Sequence, residues 1–289
     1  MKYVFLINSF SNKNEAVGLS RKISTICESL GMDYKIEVNS EKRSTEDILA
    51  GYKDRHDIIF AIGGDGTINR VLNSIAETDN VLGVIPNGTG NDLYRSISSE
   101  FKEGINDADV IKINDRYFIN VACFGIDADI ANNNDIVHSK LIPKSQRYNI
   151  SLLYNFLKYK NREMTIYINN QRIKSEFGTI AVCNGEYYGG GYHIGYTSKL
   201  NDGLVDVYLA ENLGKVDMAK LILSMKTGAH ESSKSIQKFQ TDHLTIKSPV
   251  PIKSNVDGEE LESDRFDIEV VKKKLLVYHD DYLVRRILN

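Results

Sequence analysis

Two short stretches of the chain carry residues that could do chemistry. The first is Gly63-Gly64-Asp65-Gly66-Thr67, which follows the apolar run Ile58 to Ile62 and precedes Ile68, Val71, Leu72 and Ile75 at helical spacing. Glycines let a main chain come close to a phosphate because no Cβ stands in the way. A helix behind them offers unpaired N–H groups and a partial positive charge to an anion, and the Thr67 hydroxyl is a further donor. Asp65 is the odd member. A bare carboxylate among phosphate-binding amides points to a divalent cation, or to a hydrogen bond with a sugar or ordered water. A tight strand-to-helix turn would use the same residues, and that reading stands beside the first. The loop has neither the Lys of the G-x-x-x-x-G-K-[ST] pattern nor the spacing of G-x-G-x-x-G.

The second stretch is Asp257-Gly258-Glu259. Residues two apart in an extended chain project to one side, so the two carboxylates would lie together. Pairing raises the proton affinity of one of them, which suits a base that takes a proton from a hydroxyl. Asp-Gly is equally the signature of a hairpin turn with solvated acids. Two other stretches say less alone. Pro86-Asn87-Gly88-Thr89-Gly90-Asn91-Asp92 follows Leu82 to Ile85, and loops after adjacent parallel strands converge on one sheet edge. Asp202-Gly203 with Asp206 is either an oxygen site for a hard cation or a plain turn.

The elements that would position these residues change character along the chain. Tyr3 to Ile7, Tyr34 to Val38, Asp57 to Ile62 and Val81 to Ile85 read as strands. Between them, Ala16, Leu19, Ile23, Ile26 and Leu30 mark one face of a helix closed by Gly31. Ser44 and Asp47 form a capping-box pattern opening a short helix. Ile68 to Ile75 is a helix, and Asn91 to Ile97 begins another. This alternation predicts a parallel sheet covered on both faces. After about residue 105 strand-like runs dominate: Asp109 to Ile113 and Tyr117 to Phe124 flanking Asn114-Asp115, then Met164 to Ile168, Thr179 to Cys183, Leu204 to Leu209, Leu244 to Ile246 and Phe266 to Val271. Helical segments at Tyr148 to Lys160 and Val216 to Lys226 interrupt them. The expected fold class is α/β: an N-terminal parallel-sheet nucleotide-binding domain over residues 1–106, and a C-terminal antiparallel β-sandwich domain over 107–280. Residues 280–289 are expected to pack back on the first domain.

The whole chain sets the bounds. Its 289 residues suffice for two domains, and 42% hydrophobic with 26% charged content is that of a folded protein. A formal net charge of −3 carries no basic excess, so nucleic acid is not an expected partner. Cys27, Cys123 and Cys183 are odd in number and lack metal-ligand spacing, which fits a reducing compartment. The first apolar stretch is too short for a signal peptide, and no apolar run approaches the ~20 residues that span a bilayer. The expected location is cytoplasmic, at most resting on a membrane.

With these motifs in hand, the chain resembles the diacylglycerol kinase catalytic family, in particular its small soluble bacterial lipid kinases. Four segments in order carry the resemblance: Gly63-Gly64-Asp65-Gly66-Thr67-Ile68-Asn69; Pro86-Asn87-Gly88-Thr89-Gly90-Asn91-Asp92-Leu93; Tyr188-Gly189-Gly190-Gly191 through Lys199-Leu200-Asn201-Asp202-Gly203-Leu204-Val205-Asp206-Val207; and Asp257-Gly258-Glu259. The resemblance implies a nucleotide-binding α/β domain, a β-sandwich, and ATP in the cleft between them. It implies that Asn8, Ser9, Phe10, Ser11 and Asn12, with Gly63, Gly64, Asp65, Gly66, Thr67, Ile68, Asn69 and Thr89, line the nucleotide. Asn39 falls where the family often has a Thr against it. It further implies a structural Mg²⁺ held by Asp202 and the carbonyls of Lys199 and Leu204, and a catalytic base at Glu259, which Asp257 assists. The activity expected is transfer of the γ-phosphate of ATP to a lipid hydroxyl, with diacylglycerol as default acceptor and phosphatidic acid as product.

Two departures from the family pattern stand out. Arg70 follows Asn69 where Asn-Glu is common, and Asn8 to Asn12 lacks the usual Pro and Gly. Two other functions therefore stay open: a kinase of a soluble acceptor such as NAD or a sugar phosphate, since those kinases carry similar glycine loops, and a non-catalytic nucleotide-binding protein. Between Ile136 and Arg162 there is no acidic residue, and Lys140, Lys144, Arg147, Lys158 and Lys160 mix with Tyr148, Leu152, Phe156 and Tyr159. Such a helix suits an anionic membrane surface that supplies the lipid substrate, or packs on the β domain with snorkelling lysines. A homodimer stays open beside a monomer. His193, just after the glycine run, is a further candidate near the cleft.

Overall fold

In a computed structural model of the protein, residues 1–8, 13–125 and 160–289 are described. They form two compact units, one of Met1–Val110 with Val271–Asn289 and one of Ile111–Val270. The first unit opens with β1 (Tyr3–Ile7), α1 (Lys13–Ser29), β2 (Tyr34–Val38), α2 (Thr45–Leu49), β3 (Ile58–Gly63), α3 (Asp65–Ile75), β4 (Val81–Pro86), α4 (Asp92–Glu100) and β5 (Gly104–Ala108). The second contains β6 (Ile111–Ile113), β7 (Arg116–Phe118), β8 (Val121–Gly125), β9 (Arg162–Ile168), β10 (Gln171–Cys183), β11 (Val205–Glu211), α5 (Lys215–Ser224), β12 (Ile236–Thr241), β13 (His243–Val256) and β14 (Glu259–Val270). The chain then returns to the first unit as β15 (Leu275–His279) and α6 (Asp281–Leu288).

The first sheet has the order β2-β1-β3-β4-β15-β5, with every pair parallel except β15 and β5. Its central strands β3 and β4 are buried in every residue but the last of β4, Pro86, as unbroken apolar runs require when both faces are covered. On one face Phe5, Phe60 and Ile62 pack against Ala16, Ile23 and Cys27 of α1 and against Leu283, Val284 and Ile287 of α6. Phe5 and Phe60 stack with ring centroids 4.9 Å apart. Helix α3 buries Ile68, Val71, Leu72 and Ile75, the stripe its sequence spacing predicts. Helix α2 opens with the expected capping box: the Ser44 hydroxyl accepts the Asp47 N–H, and the Asp47 carboxylate accepts the Ser44 N–H. The domain boundaries read from sequence need correction. The division falls after Val110, and the first unit regains the chain from Val271 onward, so β15 is an internal strand of the first sheet.

The second unit is one antiparallel sheet of nine strands that closes on itself. Strand β10 pairs with β9 over its first half and with β8 over its second; β13 does the same. Each long strand changes partner at an irregularity, between Phe177 and Thr179 in β10 and between Lys247 and Ile252 in β13. These breaks bend the ladder, so that it wraps a core of Phe124, Ile166, Phe177, Val182, Ile246 and Phe266 among others. Opposite the first break, Gly125 has φ +106°, and a Cβ there would lie 2.4 Å from the Gly178 carbonyl oxygen. On the outer face Val121, Cys123, Ala181 and Cys183 meet Met218, Leu221 and Ile222 of α5. The alternation of side chains along β8 and β10 thus serves two cores, one inside the ring and one under a helix. All three cysteines are buried, and none is joined in a disulfide.

Candidate active site

In the first unit, register brings the candidate residues to one sheet edge. Ile7 is level with Val38 and with Ile62, and Gly63 with Pro86. Asn8, Asn39, Gly64 and Asn87 therefore all leave the sheet at its carboxyl edge, the place where open parallel sheets bind ligands. The Asn8 side-chain amide donates to the Thr67 hydroxyl at 2.9 Å. Asn39 is buried, donates its N–H to Ile7 at 3.2 Å, and its side chain donates to the Thr45 hydroxyl at 3.3 Å.

The two glycine loops touch each other. The Asn87 N–H donates to the Gly63 carbonyl at 2.9 Å, and a Cβ on Gly88 would lie 2.4 Å from the Gly64 Cα. Gly64 is the N-cap of α3, and no side chain caps that helix. A capping side chain would compete with an anion for the first-turn amides, so its absence suits phosphate binding. Thr89 stands exposed at the tip of the second loop.

Asp65 has a different partner from the one its residue type suggests. Its Oδ1 accepts the N–H of Asp92 at 3.0 Å and of Leu93 at 3.5 Å, so it caps α4, whose own N-cap, Asn91, makes no side-chain cap bond. A Cβ on Gly90 would meet Asp65 Oδ2 at 2.7 Å, which fixes glycine there. Burial pushes the Asp65 carboxyl above its ordinary range, and the amides of Leu93, Asp92 and Asn91 oppose that push. Ile68 lies in the core with its N–H bonded to Gly64, so it shapes the helix rather than offering a contact. Asn69 is buried and accepts from the Asn73 side chain, while Arg70 is exposed. Ser9, Phe10, Ser11 and Asn12 lie outside the described residues, as does the basic and aromatic stretch of 136–162 up to residue 159.

In the second unit the Asp-Gly-Glu motif is a turn. Asp257 (φ 46°) and Gly258 (φ 91°) join β13 to β14 as a two-residue hairpin connection. The expectation that both acids project side by side from an extended chain is corrected accordingly. Asp257 is turned inward, 8% exposed. Its Oδ2 accepts the Ile119 N–H at 2.8 Å, its Oδ1 the Val121 N–H at 2.8 Å, and the Asn120 N–H lies 3.1 Å from Oδ1. A carboxylate engaged in this way holds the turn against the start of β8. Glu259, half-buried, is the first residue of β14 and directly follows this anchored turn.

Three residues that sequence reasoning missed complete this support. Asn255 accepts the Gly258 N–H at 3.1 Å and the Tyr188 hydroxyl at 3.2 Å. Asn120 donates to the Tyr187 carbonyl at 2.7 Å, and Asn184 to the Ile119 carbonyl at 2.7 Å. The third and fourth motifs are thereby bound together within one unit. The available signal was the asparagine interrupting each apolar run, at 120, 184 and 255. His193 pairs with Glu186 at 2.6 Å and packs on Tyr187, with centroids 4.5 Å apart.

The segment of Lys199, Asp202 and Leu204 is a turn tied at its base, where the Ser198 hydroxyl donates to Asp206 Oδ2 at 2.7 Å and the Lys238 ammonium lies 3.4 Å from Oδ1. Asp202 is exposed, and its Oδ1 accepts the Leu204 N–H at 3.0 Å. One carboxylate and two main-chain carbonyls are hard oxygen donors, a set whose chemistry fits Mg²⁺.

A parallel α/β unit with interlocked glycine loops at its sheet edge, followed by a closed antiparallel unit presenting a fixed acid, defines a two-unit kinase architecture. Residues 2–117 match the family model described as the diacylglycerol kinase catalytic domain. Residues 120–279 match the one described as the YegS C-terminal NAD kinase beta sandwich-like domain. The chain belongs to this family of lipid kinases. It is 26% identical over 228 residues to a Shewanella frigidimarina protein named "Probable lipid kinase YegS-like", covering 74% of this chain and 73% of that protein. It is 26% identical over 223 residues to a Bacillus subtilis protein named "Diacylglycerol kinase", covering 70% and 71%. Among solved structures, a diacylglycerol kinase from Bacillus anthracis str. Sterne superposes with a TM-score of 0.71 at 19% identity over 98% of both chains. An NAD kinase from Archaeoglobus fulgidus in complex with ATP gives 0.53 at 11% identity, over 100% of this chain and 99% of that one. At such identities these structures show the shared fold. No helix among the described residues is long and apolar enough to cross a membrane.

Proposed function

We propose that the protein transfers the γ-phosphate of ATP to a lipid hydroxyl, with diacylglycerol as first acceptor and phosphatidic acid as product. The observation that carries this reading is the anchoring of the Glu259 turn by the Asp257 carboxylate through the amides of residues 119 to 121. Nucleotide binding falls to the first unit and proton transfer to the second. The α3 amides and the Gly88 loop hold the phosphates, with Thr67 and Asn8 beside them. Glu259 accepts the proton of the acceptor hydroxyl as its oxygen forms a bond to the γ-phosphorus and the bond to the ADP oxygen breaks. Asp257 positions that base rather than sharing its proton. Lys199, Asp202 and Leu204 would hold Mg²⁺, which supplies structural support to the loop after the glycine run.

The test is a γ-phosphate transfer assay with the full chain and Mg-ATP against diacylglycerol, phosphatidylglycerol, a sphingoid base, undecaprenol and NAD. Labelled phosphatidic acid is the expected product. Labelled NADP with no labelled lipid would transfer the assignment to a soluble acceptor. No transfer to any acceptor would remove the catalytic reading.

A further inference from the structure

Among the described residues one group of three His, Cys, Asp or Glu side chains gathers within reach of a single ion, and neither glycine loop contributes to it. It consists of Glu103, just before β5, His279, at the end of β15, and Asp281, the first residue of α6. One ligand atom from each lies within 4.8 Å of the others, and His279 Nε2 is 3.7 Å from Asp281 Oδ1. Ligands each bound ~2.0–2.2 Å from a tetrahedral metal lie ~3.3–3.6 Å apart, so a small closure of the group would complete a coordination shell.

The second observation is the state of His279 itself. Its side chain is 6% exposed, yet its ring makes no hydrogen bond among the described residues. At 3.7 Å the His279 Nε2 and the Asp281 carboxylate are beyond hydrogen-bond distance, and a shared ligand between them would satisfy both. What the ring faces is carboxylate oxygen. The carboxylates are in turn held in place: the Tyr94 hydroxyl donates to Asp281 Oδ1 at 2.7 Å, and the Asp281 N–H donates to Glu103 Oε1 at 3.1 Å. Arg285, exposed on α6, lies 3.5 Å from Asp281 Oδ2. Hydrogen bonds to the ligands from a surrounding shell are a regular feature of protein metal sites.

We propose that Glu103, His279 and Asp281 bind one divalent transition-metal ion of the Zn²⁺ type, clamping α6 and β15 to the segment before β5. An imidazole nitrogen beside two carboxylates selects Zn²⁺ or its neighbours over Mg²⁺ and Ca²⁺, which take oxygen alone. The competing arrangement is the same three side chains gathered with no metal between them.

The experiment is a titration of the full chain with Co²⁺ in the presence of excess Mg²⁺, which keeps oxygen-only sites filled. The expected result is saturation at one Co²⁺ per chain with visible d–d bands, displacement by Zn²⁺, and a higher melting temperature with either metal. Glu103→Gln, a change at an exposed residue, should weaken binding by about tenfold or more, and His279→Gln should remove the imidazole signature. No saturable Co²⁺ uptake would overturn the proposal. So would uptake with the same affinity in Glu103→Gln, which is read on a variant whose fold is not in question.

Discussion

The Asp257 carboxylate accepts the main-chain N–H of Val121 at 2.8 Å, and the Asp257 N–H donates back to the Val121 carbonyl at 3.1 Å. A hairpin turn is thereby bolted to the neighbouring strand through one residue. Replacing Asp257 with Asn keeps the shape but turns an NH₂ toward the amides of residues 119 to 121. The expected loss is about 2–4 kcal/mol, because buried donors are left unmatched. Urea unfolding measures it, and a stability within error of the original would mean the turn is held by other contacts.

Contact between the two glycine loops gives a second prediction. A Cβ on Gly88 would fall 2.4 Å from the Gly64 Cα, which is main chain and cannot swing aside. Gly88→Ala should separate the loops at a cost of about 1–3 kcal/mol and raise the KM for ATP more than it lowers kcat. An unchanged KM would place the phosphates elsewhere.

Asp65 gives a third. Since it caps α4 rather than facing solvent, Asp65→Ala should destabilise the first unit by about 0.5–2 kcal/mol, the value of a helix cap. Nucleotide binding should weaken with it, because the second loop loses its anchor. A variant as stable as the original protein, seen in thermal melts, would contradict the capping role.

The pH dependence of stability follows from His230, which is fully buried, with its Nε2 2.9 Å from the Ile194 carbonyl oxygen. Burial holds it below its ordinary value, with Lys238 and His193 acting in the same direction and Glu231 and the Ile194 carbonyl against. In the unfolded chain the ring protonates first as pH falls, so the unfolded state binds more protons in that window. Its contribution is therefore full above about pH 6.5 and is lost as pH falls through the folded value. Urea midpoints measured from about pH 8 to about pH 5 should drop, and His230→Asn should flatten the curve. An equal slope in the variant would assign the effect to other groups.

The sequence disclosed the first unit better than the second, for physical reasons. Strands β1, β3 and β4 are unbroken apolar runs and α3 repeats every three to four residues, so period alone identifies them. Strand β5 reads Gly-Ile-Asn-Asp-Ala at the sheet edge, where no apolar run is needed, and it escaped notice. Strands β13 and β14 are long because the sheet folds over itself, and their charged, solvent-facing halves carry no hydrophobic signal. The glycine loops were legible because glycine types report close approach directly. Asp65 and Asp257 were misread in partner: a residue type shows that a carboxylate needs donors, but not that the donors are amides 27 or 138 residues away.

The central claim is that Glu259 is the base and that the first unit binds the nucleotide without it. The direct measurement is single-turnover phosphoryl transfer by Glu259→Gln alongside ATP affinity by equilibrium binding. Turnover should fall by ~10²–10⁴ while the affinity for ATP stays as it was. A variant that transfers phosphate at the original rate would contradict the account.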